Sequence, residues 1–396
     1  MKKIIVTLFF AFNCFLLFLY SFTQVDLNLT FSRSPFIHTI IKEFQSIGFY
    51  NRVLSTEIYI GILIGLHLCF FYFLYQAYKG RLSVSYVWKL LIIIVPIFVL
   101  SYNAFSYDLF NYLFYPKITI YYHQNPYLQS PLNYPNDSMV HFMRWTGQTY
   151  PYGPVWLALS IPLSYLGMGF LIPTLILFKL FMTFSFLGTV YYVQKIVNVI
   201  NPKLVALSVV FIGLSPLFLI ESIVSPHIDI VMMFFALASL YYLLRKKYKV
   251  AIVLFALSVG IKFAIIFALP GYFLIGYLQY KKYTFRPDKV LTLLSILMGI
   301  AVIVASYRTN FQPWYLVLYL PFAVLVSPQK YYVFIPSIIL MSFSLLTYAP
   351  NLYLGNSDPP LPLLLNLLNI FMIALSAVLV FCYLFLARRR KVEIQR

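Results

Sequence analysis

The chain has 396 residues, 62% of them hydrophobic and 10% charged, with a mean hydropathy of +0.86. No water-soluble domain of that size could keep so much apolar surface dispersed, so lipid is the solvent and the expected fold class is an all-α polytopic membrane protein. The formal charge of +19 would suit a nucleic-acid binder, but the Lys and Arg residues sit in short clusters between apolar runs. That is a topology signal, and no nucleic-acid partner is expected.

Apolar runs close to the roughly 20 residues a crossing helix needs come to about twelve. The first, 4–22, follows Lys2-Lys3 and has no small-residue cleavage site after Tyr20-Ser21-Phe22, so it reads as an uncleaved helix. Residues 23–56 place Ile37, Ile40, Ile41, Phe44 and Ile47 at helical spacing with Lys42, Glu43 and Arg52 between them, the pattern of an amphipathic helix lying in the membrane interface. Spans at 58–78 and 87–105 follow, so residues 1–86 form a two-helix extension ahead of a long loop at about 106–168. Beyond it the predicted spans are 170–193, 204–220, 230–244, 251–261, 263–280, 290–307, 314–327, 331–348 and 363–387. The 251–261 run is short, which suggests a broken or re-entrant segment.

Lys79, Arg81, Lys195, Lys203, Arg245-Lys246-Lys247, Lys281-Lys282 and Arg388-Arg389-Arg390-Lys391 all fall on one side if both termini are cytoplasmic. Most of the acids then fall on the other. This parity leaves the apolar stretch 155–166 no room to cross, so it is expected to lie along the outer leaflet or to dip in and return. Cys14, Cys69 and Cys382 are each inside an apolar run, which argues against a disulfide framework or a thiolate metal site. No internal repeat stands out, and residues 1–396 read as one integral membrane domain.

Ionisable side chains within or beside a span are costly, and they mark candidate sites. Asp108, about three residues past the third span, is either a general base at the outer boundary or a solvated helix-end charge. His227 and Asp229, in Ser225-Pro226-His227-Ile228-Asp229, could bind a sugar, a phosphate or a divalent ion, and Asp229 also suits a helix N-terminus. Two ligands do not define a metal site, so no cofactor is assigned and a divalent metal stays open. Lys262, at the outer end of 251–261, either snorkels or meets an anionic group, and Lys179 lies too deep to snorkel easily. Arg308 opens Arg308-Thr309-Asn310-Phe311-Gln312-Pro313-Trp314-Tyr315, where a phosphate-gripping guanidinium adjoins two aromatics that stack on a sugar or mark the interfacial belt. Gly-rich phosphate loops, HExxH and serine-elbow motifs are missing from the sequence.

Asp108, Asn125-Pro126-Tyr127, Tyr150-Pro151-Tyr152-Gly153-Pro154, His227-Ile228-Asp229, Lys262 and Gln312-Pro313-Trp314-Tyr315 occur in an order that resembles the GT-C superfamily of integral membrane glycosyltransferases. The bacterial polyprenyl-phosphate-mannose-dependent mannosyltransferases are the most similar members, and the resemblance spans roughly residues 87–327. It implies transfer of a hexose, mannose by this likeness, from a polyprenyl-phosphate sugar to an extracytoplasmic glycolipid or glycan acceptor, by inverting displacement at the plasma membrane. The position matching the family's base is Asp108, in the loop at 106–168. The donor's phosphate and sugar are assigned to Lys262, Arg308, His227, Asp229, Lys179, Tyr152, Trp314 and Tyr315. The middle residue of the His-Asn-Asp-like element is Ile228 here, so any contact made by that Asn is lost. A transporter or flippase of lipid-linked saccharides is the reading from another class. It would call for repeated halves with polar breaks near the midplane, whereas the polar residues here gather on one side.

Overall fold

The structure is a computed structural model that describes residues 2–29, 34–283, 286–326 and 330–394; Ser327, the end of the tenth predicted span, lies outside the described residues. Helices dominate and no strand occurs among the described residues, as expected where every backbone polar group must be satisfied inside lipid. In chain order they are α1 Lys2–Ser21, α2 Pro35–Gln45, α3 Arg52–Tyr78, α4 Val84–Val99, α5 Asp108–Ile120, α6 Pro154–Leu166, α7 Leu171–Ile200, α8 Val205–Gly213 and α9 Pro216–Leu219. They continue with α10 Asp229–Leu244, α11 Tyr248–Ile261, α12 Leu269–Tyr280, α13 Pro287–Thr309, α14 Leu316–Ala323, α15 Tyr331–Phe343, α16 Tyr348–Leu354 and α17 Leu361–Ile394.

Seven of the described helical stretches are long and apolar enough to cross a membrane, and α8 with α9 and its extension makes an eighth that bends by 49°. The bend has a local cause. Pro216 cannot donate a backbone hydrogen bond, so the helix ends before it, at Gly213, and a new one starts behind Ser215. Four of the remaining predicted spans appear as shorter apolar helices, α4, α10, α11 and the Pro313–Ala323 stretch.

The bent pair forms the centre of the bundle: every residue from Leu207 to Met233 is buried. A segment apolar on all sides belongs at such a position. Helices α3, α4 and α7 pack on it, α10 packs on α7, and α1 packs on α3 and α4. The two leading helices are joined to the rest, since the Tyr59 hydroxyl of α3 donates to the Leu345 carbonyl at 2.8 Å. Outward-facing Leu68, Ile92, Phe184, Ile252, Phe273, Ile303 and Ile373 are each more than half exposed, a surface suited to lipid.

Helix α6 does not run the length of the bundle. Near its start Trp156 packs on Phe178 and Phe181 of α7, and at its end Gly167 abuts Thr174 of the same helix. Both ends therefore meet the N-terminal third of α7, and α6 lies obliquely across one end of the molecule. The Tyr150-Pro151-Tyr152-Gly153-Pro154 turn pins it there. The Gly153 amide donates to the Ile261 carbonyl at 3.1 Å, and a Cβ on Gly153 would stand 2.1 Å from the Gly260 carbonyl oxygen. Only glycine permits that approach.

Candidate active site

The residues singled out by sequence converge on the bundle end that α6 crosses, because the chain turns there repeatedly. The connection from α4 to α5 is knitted down along its length. The Tyr102 amide donates to Ser21 Oγ at 2.9 Å, the Phe105 amide to Ser225 Oγ at 2.9 Å, and the Asp108 amide to Ser106 Oγ at 3.2 Å. Asp108 opens α5, where the positive end of the helix dipole favours an acid, and its side chain keeps 22% of its surface exposed.

Across from it, α9 continues as a single wide π turn, Ile220–Val224, before the chain leaves the helix. Such turns recur at functional sites because they re-aim side chains. Here the turn sends Glu221 inward, and the His227 amide donates to the Glu221 carbonyl at 3.1 Å. The His227 side chain is buried, with Nδ1 3.2 Å from Glu221 Oε2 and Nε2 4.0 Å from Asp108 Oδ2. The first contact is an ion-pair distance without hydrogen-bond alignment, so both ring nitrogens lack an aligned partner. Trp314 lies parallel to the ring, 4.1 Å between centroids and 11° between planes, and fixes its orientation. The other oxygen of Glu221, Oε1, accepts from the Tyr348 hydroxyl at 2.8 Å.

His227 stands in the turn between the bent pair and α10, outside both helices. Burial opposes its protonation, but Glu221 foremost, then Asp108 and Asp229, hold the imidazole above its ordinary pKa.

A second charged pair adjoins this one. Asp229 heads α10, is buried, and takes the Lys262 ammonium on both oxygens at 2.8 and 3.0 Å. Lys262 sits at the break between α11 and the 3-10 turn Phe263–Ala268, with 28% of its side chain exposed and the Tyr315 ring centre 5.7 Å away. An ammonium has three donors, so one is left for a ligand. Tyr152 rests edge-on against Tyr112, 5.2 Å between centroids. Tyr112 follows Asp108 by one turn and interacts electrostatically with both Asp108 and Asp229.

Not every predicted site residue joins the cluster. Lys179 is buried deep in α7, and its ammonium donates to the Ser101 carbonyl at 2.5 Å, Ser101 Oγ at 2.9 Å and the Val224 carbonyl at 3.1 Å. All three donors are spent on protein, so Lys179 ties α4, α7 and the π turn together and faces no ligand. That corrects its assignment to the donor phosphate. Arg308 is exposed in the last turn of α13 and pairs with no described acid; its neighbour Thr309 shares a 2.5 Å hydrogen bond with the Tyr315 hydroxyl. Sequence reasoning missed Glu221 as a site residue, together with Tyr112 and Tyr348. A Glu in an otherwise apolar run, six residues before His227, was the available signal for the first. No group of three His, Cys, Asp or Glu side chains with the spacing of a metal site occurs among the described residues.

The loop over this end is itself braced. Lys117, in the last turn of α5, meets Asp137 Oδ2 at 2.5 Å, and the same carboxylate accepts from the Tyr122 hydroxyl at 2.7 Å and the Met139 amide at 2.9 Å. Burial pushes the Asp137 carboxyl up, but Lys117, Met139 and Tyr122 outweigh it and hold it below the usual carboxylate range.

Apolar helices that gather acids, a histidine, a lysine and aromatic rings at one end, under a braced loop, suit the membrane glycosyltransferases that the sequence resembles. The comparison with known families agrees: residues 18–277 match the MptA_B family, alpha-(1->6)-mannopyranosyltransferase, N-terminal domain. The match covers well over half of the chain, which therefore belongs to that family of membrane mannosyltransferases. No curated protein and no solved structure matches it. Trp314, Tyr315 and Tyr348 lie beyond the matched residues.

Proposed function

We propose that the protein moves a mannosyl residue from a polyprenyl-phosphate sugar to a hydroxyl of a glycolipid or glycan, with inversion at the anomeric carbon. The observation that carries this reading is the pairing, at one bundle end, of a partly open carboxylate, Asp108, with a partly open cation, Lys262. The acceptor oxygen attacks the anomeric carbon while its proton passes to Asp108, and the bond to the donor phosphate breaks with its electron pair staying on polyprenyl phosphate. One carboxylate suffices, since a phosphate leaves without an acid's help. The free donor of Lys262 opposes the charge growing on that phosphate. Tyr315, Trp314 and Tyr152 offer faces and hydroxyls for the sugar.

The family's name suggests an α-(1→6) linkage. The basic clusters suggest a plasma-membrane protein with both termini cytoplasmic, so the site opens to the other side, where a lipid-linked donor and a glycolipid acceptor are both within reach. The whole chain acts as one unit on this reading, with residues 106–168 as the catalytic loop. The test is to supply purified protein in lipid with polyprenyl-phosphate mannose and a glycolipid acceptor and to determine the product's anomeric configuration by NMR. A product of opposite configuration to the donor is expected; retention would rule out direct displacement.

A further inference from the structure

The mechanism above leaves the most deeply buried charged group of the site, Glu221, without a task. A carboxylate with no exposed surface is expensive unless something is gained by it. Its surroundings are specific: Tyr348 holds one oxygen, the other meets His227, and His227 reaches on to the one exposed acid of the cluster. The imidazole is clamped by Trp314, so its two nitrogens point along a fixed line from Glu221 to Asp108.

Resting on the reading of Asp108 as base, we propose that Glu221 is a positioning residue: held by Tyr348, it keeps His227 an imidazolium whose Nε2–H engages Asp108 Oδ2 and leaves Oδ1 for the acceptor hydroxyl. Trp314 stabilises the same cation through its ring face. The 4.0 Å gap between Nε2 and Oδ2 closes to a hydrogen bond when substrate fills the mouth, as catalytic contacts in empty sites commonly do. Two of the five participants, Trp314 and Tyr348, come from the C-terminal segments beyond the family match, so those segments complete the catalytic apparatus.

The groups facing His227 are Glu221 from the π turn, Asp108 from α5 and Asp229 at the head of α10, and Asp229 is neutralised by Lys262. Glu221 is thus the acid whose removal most reduces the cation's stability, and its loss should bring His227 to the neutral form at lower pH.

The experiment is the pH dependence of kcat/KM for mannosyl transfer by the full-length protein in lipid, for wild type, Glu221→Gln, Glu221→Asp and Tyr348→Phe. Glu221→Gln keeps an acceptor for Tyr348 and removes only charge. Its alkaline limb is expected to move to lower pH by about one unit or more, the usual size of a lost ion pair. Glu221→Asp should restore the limb at reduced kcat, and Tyr348→Phe should lower kcat with KM nearly unchanged. A uniform loss at every pH in Glu221→Gln, with the limb in place, overturns the proposal, as does a wild-type profile without an alkaline limb. Failure of the base reading shows separately, as full transfer by Asp108→Asn. Circular dichroism melting of each variant identifies one that has merely failed to fold, and Glu221→Asp and Tyr348→Phe then decide the matter.

Discussion

At the residue scale, the structure separates charges that hold the bundle together from charges that remain available to a ligand. Lys179 and Asp137 are of the first kind. Replacing Lys179 by Met leaves the Ser101 and Val224 carbonyls without their donor, and we expect a loss of about 1–3 kcal/mol in stability. The KM for donor should stay near wild type; a large rise in KM with an unchanged melting temperature would return Lys179 to the donor site. Asp137→Asn strands the Lys117 ammonium and should cost about the same. Because the folded Asp137 carboxyl is held below its unfolded value, its contribution is complete above the unfolded value, ordinarily near pH 4, and disappears as pH falls through the folded one. The difference in melting temperature between wild type and Asp137→Asn is therefore expected at pH 7 and should shrink on acidification. A difference that grows as pH falls would contradict the assignment.

Much of this site was legible residue by residue. Asp108, His227, Asp229 and Lys262 stand out because each is a charge at the edge of an apolar run, and such positions are costly without a purpose. What the sequence could not show is which of them find partners. Lys262 and Lys179 look alike in their local context, a lone lysine between apolar neighbours. Only the packing reveals that one meets a carboxylate at the mouth and the other three oxygens in the interior. Tyr348 had no signal, being one of many tyrosines at helix ends and distant in sequence from Glu221.

At the scale of elements, two features set the site's geometry. The turn before α6 carries Gly153 against the Gly260 carbonyl, which places α6 beside Lys262. Gly153→Ala should push these segments apart, at a cost of about 1–3 kcal/mol typical of overpacking, with a fall in activity larger than the fall in stability explains. Wild-type activity and melting temperature in that variant would show that the approach is dispensable. The other feature is the break at Ser215-Pro216. A single span was expected over 204–220 from the apolar run alone. The structure bends there and adds the π turn bearing Glu221. Helix α6 was expected not to cross, because the flanking lysines left no parity for it; it is a short apolar helix of 13 residues packed against α5, α7 and α11.

At the scale of the molecule, the ends of the bundle differ in kind. One gathers Asp108, Glu221, Asp229 and the aromatic mouth, and the other carries basic turns such as Lys246-Lys247. We assign the first to the extracytoplasmic face. In a background lacking Cys14, Cys69 and Cys382, a cysteine placed at the exposed Leu128 should react with a membrane-impermeant maleimide on intact cells, and one at Lys247 only after lysis. The reverse pattern would invert the topology and put the site in the cytoplasm.

The claim on which the rest depends is that this bundle end performs mannosyl transfer with Asp108 as its base. Purified protein in lipid, given polyprenyl-phosphate mannose and a glycolipid acceptor, should form product, and Asp108→Asn should form it at least about 100-fold more slowly, the usual contribution of a positioned base. Equal rates for the two proteins would remove Asp108 from the chemistry, and substrate-dependent flux across vesicles without any product would identify a carrier instead.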